Sequence, residues 1–185
     1  MTETSVRRAD ARANRVRIVA AAADLFAEQG FEVSFNAVAQ RAGVGNATLY
    51  RHFSGLEALQ QAVFLDRACQ VVHLLDGLHD LDPVEGLRRF LLWTLETADL
   101  CLLQLGEGRT PDCAEIEQAR MQIRVALDQI LERGQAGGRI RAGIDRNDIV
   151  VAAGVLVQLA RNDDVPPERK LVFLDTLLRG LQSRC

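Results

Sequence analysis

Ser34-Phe35-Asn36-Ala37-Val38-Ala39-Gln40-Arg41-Ala42-Gly43-Val44-Gly45-Asn46-Ala47-Thr48-Leu49-Tyr50-Arg51-His52-Phe53 reads as two short helices joined by a glycine-bearing turn. Ser34 is a candidate N-cap, because its hydroxyl can accept a bond from a first-turn N–H that has no partner within the helix. The helix through Ala42 carries Val38 and Ala39 inward, and Ala39 is small where two helices would cross. Gly43-Val44-Gly45 breaks it, since glycine enters the left-handed conformation without a Cβ clash. A second helix runs from Asn46 to about Phe53, with Val44 and Leu49 plugging a small core. This is a helix-turn-helix arrangement, whose second helix enters the major groove of DNA. Asn46, Ala47, Thr48, Tyr50, Arg51 and His52 are left exposed on that helix, able to face DNA.

Outward from this segment, apolar residues recur at helical rather than strand spacing. Ile18, Ala22, Leu25 and Phe26 mark one face of a helix from Asp10 to Gln29, which Gly30 stops. A longer helix extends from Leu56 to about Leu78, and Asp82-Pro83 closes it. One helix is expected from about Val84 to Leu105, a loop over Gly106 to Pro111, and a helix from about Asp112 to Ala136. Arg139 to Ile144 reads as a connector. Asp145 then caps a helix reaching about Ala160, with Asp148 three places on favouring its positive end. Pro166-Pro167 opens the last helix, to about Ser183. The expected fold is all-α: an N-terminal three-helix helix-turn-helix domain followed by a C-terminal helical domain.

Of the 185 residues 48% are hydrophobic and 25% charged, which fits a globular chain and excludes disorder. A net charge of −3 excludes a uniformly polybasic nucleic-acid binder, so any such contact must use local charge. Residues 1–67 hold 8 Arg against 7 acids, or +1; the remainder holds 14 basic residues against 18 acids, or −4. Arg7, Arg8, Arg12, Arg15 and Arg17 against Asp10 put +4 on residues 7–17, a pattern that fits either a phosphate-binding arm or a solvated helix face. Of the four cysteines, Cys69, Cys101, Cys113 and Cys185, none stands in a C-x-x-C pair, so no zinc or disulfide framework is expected. Cys69 and Cys101 lie in apolar helical runs and read as buried small hydrophobes. No secretory leader and no run of about 18 apolar residues is evident, which predicts a soluble, cytoplasmic protein without a membrane partner. Nucleophile motifs, phosphate-binding glycine loops and metal-ligand spacings are missing, so neither an enzyme nor a cofactor is expected.

The wider string is more specific than its turn. Phe26-Ala27-Glu28-Gln29-Gly30-Phe31, Ala39-Gln40-Arg41-Ala42-Gly43-Val44, Thr48-Leu49-Tyr50-Arg51-His52-Phe53 and Glu57-Ala58-Leu59 together resemble the tetracycline-repressor (TetR) family of bacterial transcriptional regulators. The resemblance covers residues 12–71, with the helix-turn-helix at about 34–53, and leaves 72–185 as an effector-binding and dimerisation domain. Gly137-Gly138-Arg139-Ile140-Arg141, with Asp145-x-x-Asp148-Ile149, is similar to a C-terminal domain common among the family's smaller members.

That resemblance implies a dimeric repressor, released from double-stranded operator DNA by a small effector, which the pocket candidates below mark as mostly apolar. Ser34 would cap the first motif helix or bond a phosphate, and Asn36 would reach a phosphate or base. Gly45, Asn46, Ala47 and Thr48 would begin the reading helix, while Tyr50 and His52 hold positions that typically bond phosphates. Related sequences often carry Lys or Arg where this chain has Asn46 and Leu56, which shifts the electrostatic burden to the N-terminal arm and Arg51. Asn46 instead brings an amide suited to a bidentate bond with adenine, or to a cap. Pocket candidates are polar or amphipathic residues in apolar helices: Cys69, His73, Trp93, Thr94, Thr97, Cys101, Met121 and Arg124. The stripe Leu171, Leu174, Leu178 and Leu181 on the last helix is the candidate dimer interface, set against an intramolecular core. A helical module serving a protein partner, with incidental DNA contact, is the alternative function.

Overall fold

A computed structural model describes residues 3–107 and 110–183. Cys185 and the side chain of Arg7 lie outside the described residues. Nine helices occur among the described residues: α1 (Glu3–Gln29), α2 (Phe35–Ala42), α3 (Asn46–His52), α4 (Leu56–Asp76), α5 (Pro83–Thr97), α6 (Leu100–Glu107), α7 (Ala114–Ala136), α8 (Arg146–Ala160) and α9 (Pro167–Leu181). The chain divides into two compact units, residues 1–66 with 110–113, and residues 67–109 with 114–185. The division falls within α4, a little before the expected boundary at residue 71.

In the first unit α2 packs on α1 and α3 on α2. Ile18, Ala22, Leu25 and Phe26 of α1 are buried together with Val38, Ala39, Leu49, Leu59 and Phe64, burial that contributes about 1.5–3 kcal/mol for each large side chain. Phe31 stacks on Phe64 at 5.5 Å between ring centres and leans on Phe26 at 5.3 Å. The Gln60 amide donates to the Phe31 carbonyl at 3.0 Å, so the passage from α1 to α2 is tied down on both sides.

In the second unit α8 lies against α5, α6, α7 and α9. Its start is a complete capping box: Asp145 Oδ1 accepts from Asn147 and Asp148 N–H, and the Asp148 carboxylate accepts from Asp145 N–H. Residues 137–144 clasp the C-terminus of α9. Arg141 N–H donates to Leu181 O, Ser183 N–H to Arg139 O, and the Arg141 guanidinium to Gly180 O. These bonds form an isolated antiparallel bridge between Ile140 and Gln182. Ile140 is buried against Gly134, where a Cβ would meet Ile140 Cγ1 at 2.7 Å and Pro83 at 3.1 Å. A glycine is therefore required there by close approach.

Three expectations need correction. The single helix from Val84 to Leu105 is in fact α5 and α6, broken at Ala98, which takes a left-handed φ of 50°. The cause lies at Asp99, whose carboxylate accepts from Cys101 N–H at 2.8 Å and pairs with Arg67 at 2.5 Å. A local cap and a distant cation thus outweigh the helix propensity of the run. Next, Cys69 is exposed, because it stands on the outer side of α4; Cys101 is buried as expected. Lastly, Leu174, Leu178 and Leu181 belong to their own unit's core, and Leu174 is only 1% exposed. Side chains already covered by α5 and α8 cannot cover a second subunit; of the expected stripe only Leu171, half exposed, remains outside.

Candidate nucleic-acid interface and helical-unit cavity

The helix-turn-helix is built by local chemistry. Ser34 Oγ accepts from Ala37 N–H at 3.1 Å and so caps α2, a bond that uses an acceptor lone pair and not the O–H donor. Gly43 takes φ 64°, and its N–H donates to Gln40 O while that of Val44 donates to Ala39 O, closing α2 with the paired bonds of a Schellman turn. Gly45 in extended backbone is the N-cap of α3, with no side-chain cap. Asn46 is therefore the first helical residue rather than the cap, and its amide is left available at an exposed position. Leu49 is fully buried and fixes which side of α3 faces out.

Asn36, Gly45, Asn46, Ala47, Tyr50 and Arg51 are exposed, and Thr48 and His52 half-buried. Tyr50 is 60% exposed although aromatic; its ring is braced by Phe35, 4.9 Å away and tilted 55°. That bracing holds the phenol at the surface. Arg51 behaves differently from expectation: its Nε donates to Ala47 O at 3.1 Å, along its own helix. Arg15 of α1 instead approaches the end of α3, with its guanidinium carbon 4.6 Å from the centre of the Phe53 ring. Charge reading grouped Arg15 with its neighbours and gave no sign of this contact. Arg41 is structural, making a two-bond salt bridge to Glu28 at 2.7 and 2.8 Å that joins α2 to α1. Hydrogen bonding to Arg41 holds the Glu28 carboxyl below its ordinary range.

Residues 18–63 match the family model for bacterial regulatory proteins of the tetR family. The HTH-type transcriptional regulator UidR of Escherichia coli (strain K12) is 30% identical over 144 residues, 74% of each protein. The chain belongs to the TetR family. It is a DNA-binding transcriptional regulator of the helix-turn-helix type. Among solved structures, the TetR regulatory protein from Mycobacterium vanbaalenii is 31% identical with a TM-score of 0.65, covering 95% of this chain and 98% of that one. The transcriptional regulator FadR from Bacillus subtilis, solved in complex with stearoyl-CoA, shares the fold: TM-score 0.64 at 21% identity over 89% and 95% of the two chains.

The helical unit holds a partly open cavity of about 180 Å³. Of the expected pocket residues, Trp93, Thr94 and Arg124 line it. Cys101 is buried but outside the lining; burial and the neighbouring Asp99 push its thiol far up. Cys69, His73, Thr97 and Met121 are exposed and do not line it, because the helix faces that carry them turn to solvent. Arg120 and Arg146 line it without having been expected, since arginines elsewhere on the chain read as solvated. Thr94 Oγ1 is already committed to Phe90 O at 2.9 Å. No helix among the described residues is long and apolar enough to cross a membrane.

Proposed function

We propose that the protein is a dimeric repressor whose helical unit binds a small effector and thereby releases operator DNA. Residues 12–71 would be the DNA-binding domain and 72–185 the effector and dimerisation domain. Asn46, Ala47 and Thr48 would read base edges; Tyr50 and His52 would bond phosphates, with Asn36 and Arg15 beside them. The observation that carries this reading is Tyr50, an exposed phenol on the reading helix whose ring is braced by Phe35.

The dimer face moves with the correction above. Val151 and Val155 on α8, and Leu171, Val172 and Phe173 on α9, are exposed on two helices that pack together. Burying such a patch against a second copy would couple two reading heads, as an operator with half-sites about 34–36 Å apart requires. A cavity in the same unit supports effector control, because a ligand that favours one subunit arrangement shifts the population toward it.

The test is capture of sheared genomic DNA by the purified protein, followed by anisotropy titration on the recovered fragments. Selective retention of fragments sharing a palindrome is expected. Retention without sequence preference, or none, would overturn the reading.

A further inference from the structure

We infer that the cavity of the helical unit takes a small apolar carboxylate, anchored by Arg124. The inference builds on the reading of this cavity as an effector site, and gives that site its chemistry. Val71, Phe90, Leu127 and Ala153 make an apolar floor. Arg120, Arg124 and Arg146 line the same cavity, and no Asp or Glu does among the described residues.

The three guanidinium groups are not equivalent. Arg120 donates from Nε to Leu105 O at 3.2 Å and is ion-paired with Glu117. Arg146 is ion-paired with Asp128. Arg124 has its Nη1 3.5 Å from Met121 Sδ, and a thioether is a weak acceptor that carries no charge. Two carboxylates therefore face three guanidinium groups, and the uncompensated charge sits on Arg124, half-buried at the wall of an apolar space.

A neutral apolar ligand would strip water from that guanidinium and return nothing, and a cation would be repelled. A carboxylate can accept two parallel N–H bonds from the planar fork while its hydrocarbon part displaces water from the floor. Size narrows the class further. About 180 Å³ is close to the roughly 150 Å³ cavity that accepts benzene, so one ring or a short chain fits.

The full-length protein is titrated by calorimetry with benzoate and hexanoate, and with benzyl alcohol and 1-hexanol as uncharged counterparts. The carboxylates should bind at least about tenfold tighter than the alcohols, a difference of about 1.4 kcal/mol. Arg124→Gln should bring that ratio close to one, whereas Arg124→Lys, which keeps the charge without the fork, should retain part of it. The unfolding midpoint of each free variant shows whether the unit is intact. Equal binding of alcohols and carboxylates, a preference that survives Arg124→Gln, or no carboxylate binding at millimolar concentration would each overturn the inference. DNA release is followed in parallel by anisotropy. Carboxylates that bind through Arg124 but leave DNA affinity unchanged would uphold the anion site and sink its role as effector site. Alcohols that bind preferentially and release DNA would do the reverse.

Discussion

Tyr50 and Asn46 separate the two kinds of work a reading helix does. Phosphate bonds position a protein on the duplex and carry no sequence information, whereas base-edge bonds discriminate. Tyr50→Phe removes the hydroxyl but keeps the ring against Phe35, so the helix is undisturbed. Affinity should fall by about 1 kcal/mol, evenly across operator sequences, as anisotropy on a set of variant sites would show. Asn46→Ala should instead relax preference at one base pair in each half-site; an even loss across a randomised operator library would disprove the readout role. The cysteines offer a second check on side-chain placement. Cys69 is exposed and Cys101 is buried with its thiol pushed up by burial and Asp99. Maleimide should label Cys69 in the native protein and Cys101 only after denaturation, read by peptide mass.

The break between α5 and α6 shows how a helix boundary can arise without a glycine or proline. Ala98 is the only non-glycine residue with positive φ among those described, a conformation that costs an L-residue about 1–2 kcal/mol. It persists because Asp99 caps α6 and pairs with Arg67. Ala98→Gly should therefore leave the unfolding midpoint unchanged or raise it, by up to about 1 kcal/mol in stability. Relief of left-handed strain there competes with the extra freedom of glycine in the unfolded chain. A clear fall in the midpoint would show that Ala98 is not strained. Asp99→Ala should be worse, because it removes the half-buried ion pair with Arg67 and uncaps α6.

For the assembly, the two faces of α8 and α9 give opposite expectations for the same chemical change. Val151 is 65% exposed and Leu174 is 1% exposed. Val151→Glu should keep the helical signal in circular dichroism but yield a monomer by light scattering, with binding to a palindromic site lost. Leu174→Glu should instead melt the helical unit, since an unpaired carboxylate in the core costs several kcal/mol. If Val151→Glu stayed dimeric and bound its operator, the dimer would have to use another face, and the exposed residues Met121 and Val125 of α7 would be the next to test.

The reading head was legible because its determinants are neighbours in the chain. A serine capping three residues on, a glycine in a left-handed turn and one buried leucine act over a few residues, and α2, the turn and α3 follow. The capping box of α8 was legible for the same reason. What could not be read was which of two apolar faces a helix turns inward. Leu171 and Leu174 differ by less than one turn and are equally hydrophobic, yet one is half exposed and the other is core. Amphipathic spacing marks a helix, but the choice of buried face depends on the helices that pack around it, here α5 and α8. The same holds for the ion pair of Arg67 with Asp99, for Arg15 over Phe53, and for Arg146 meeting Arg120 and Arg124 at one cavity. Each joins residues far apart in the chain, where no local pattern records the partner, because the free energy that selects the contact arises only once the intervening helices have packed.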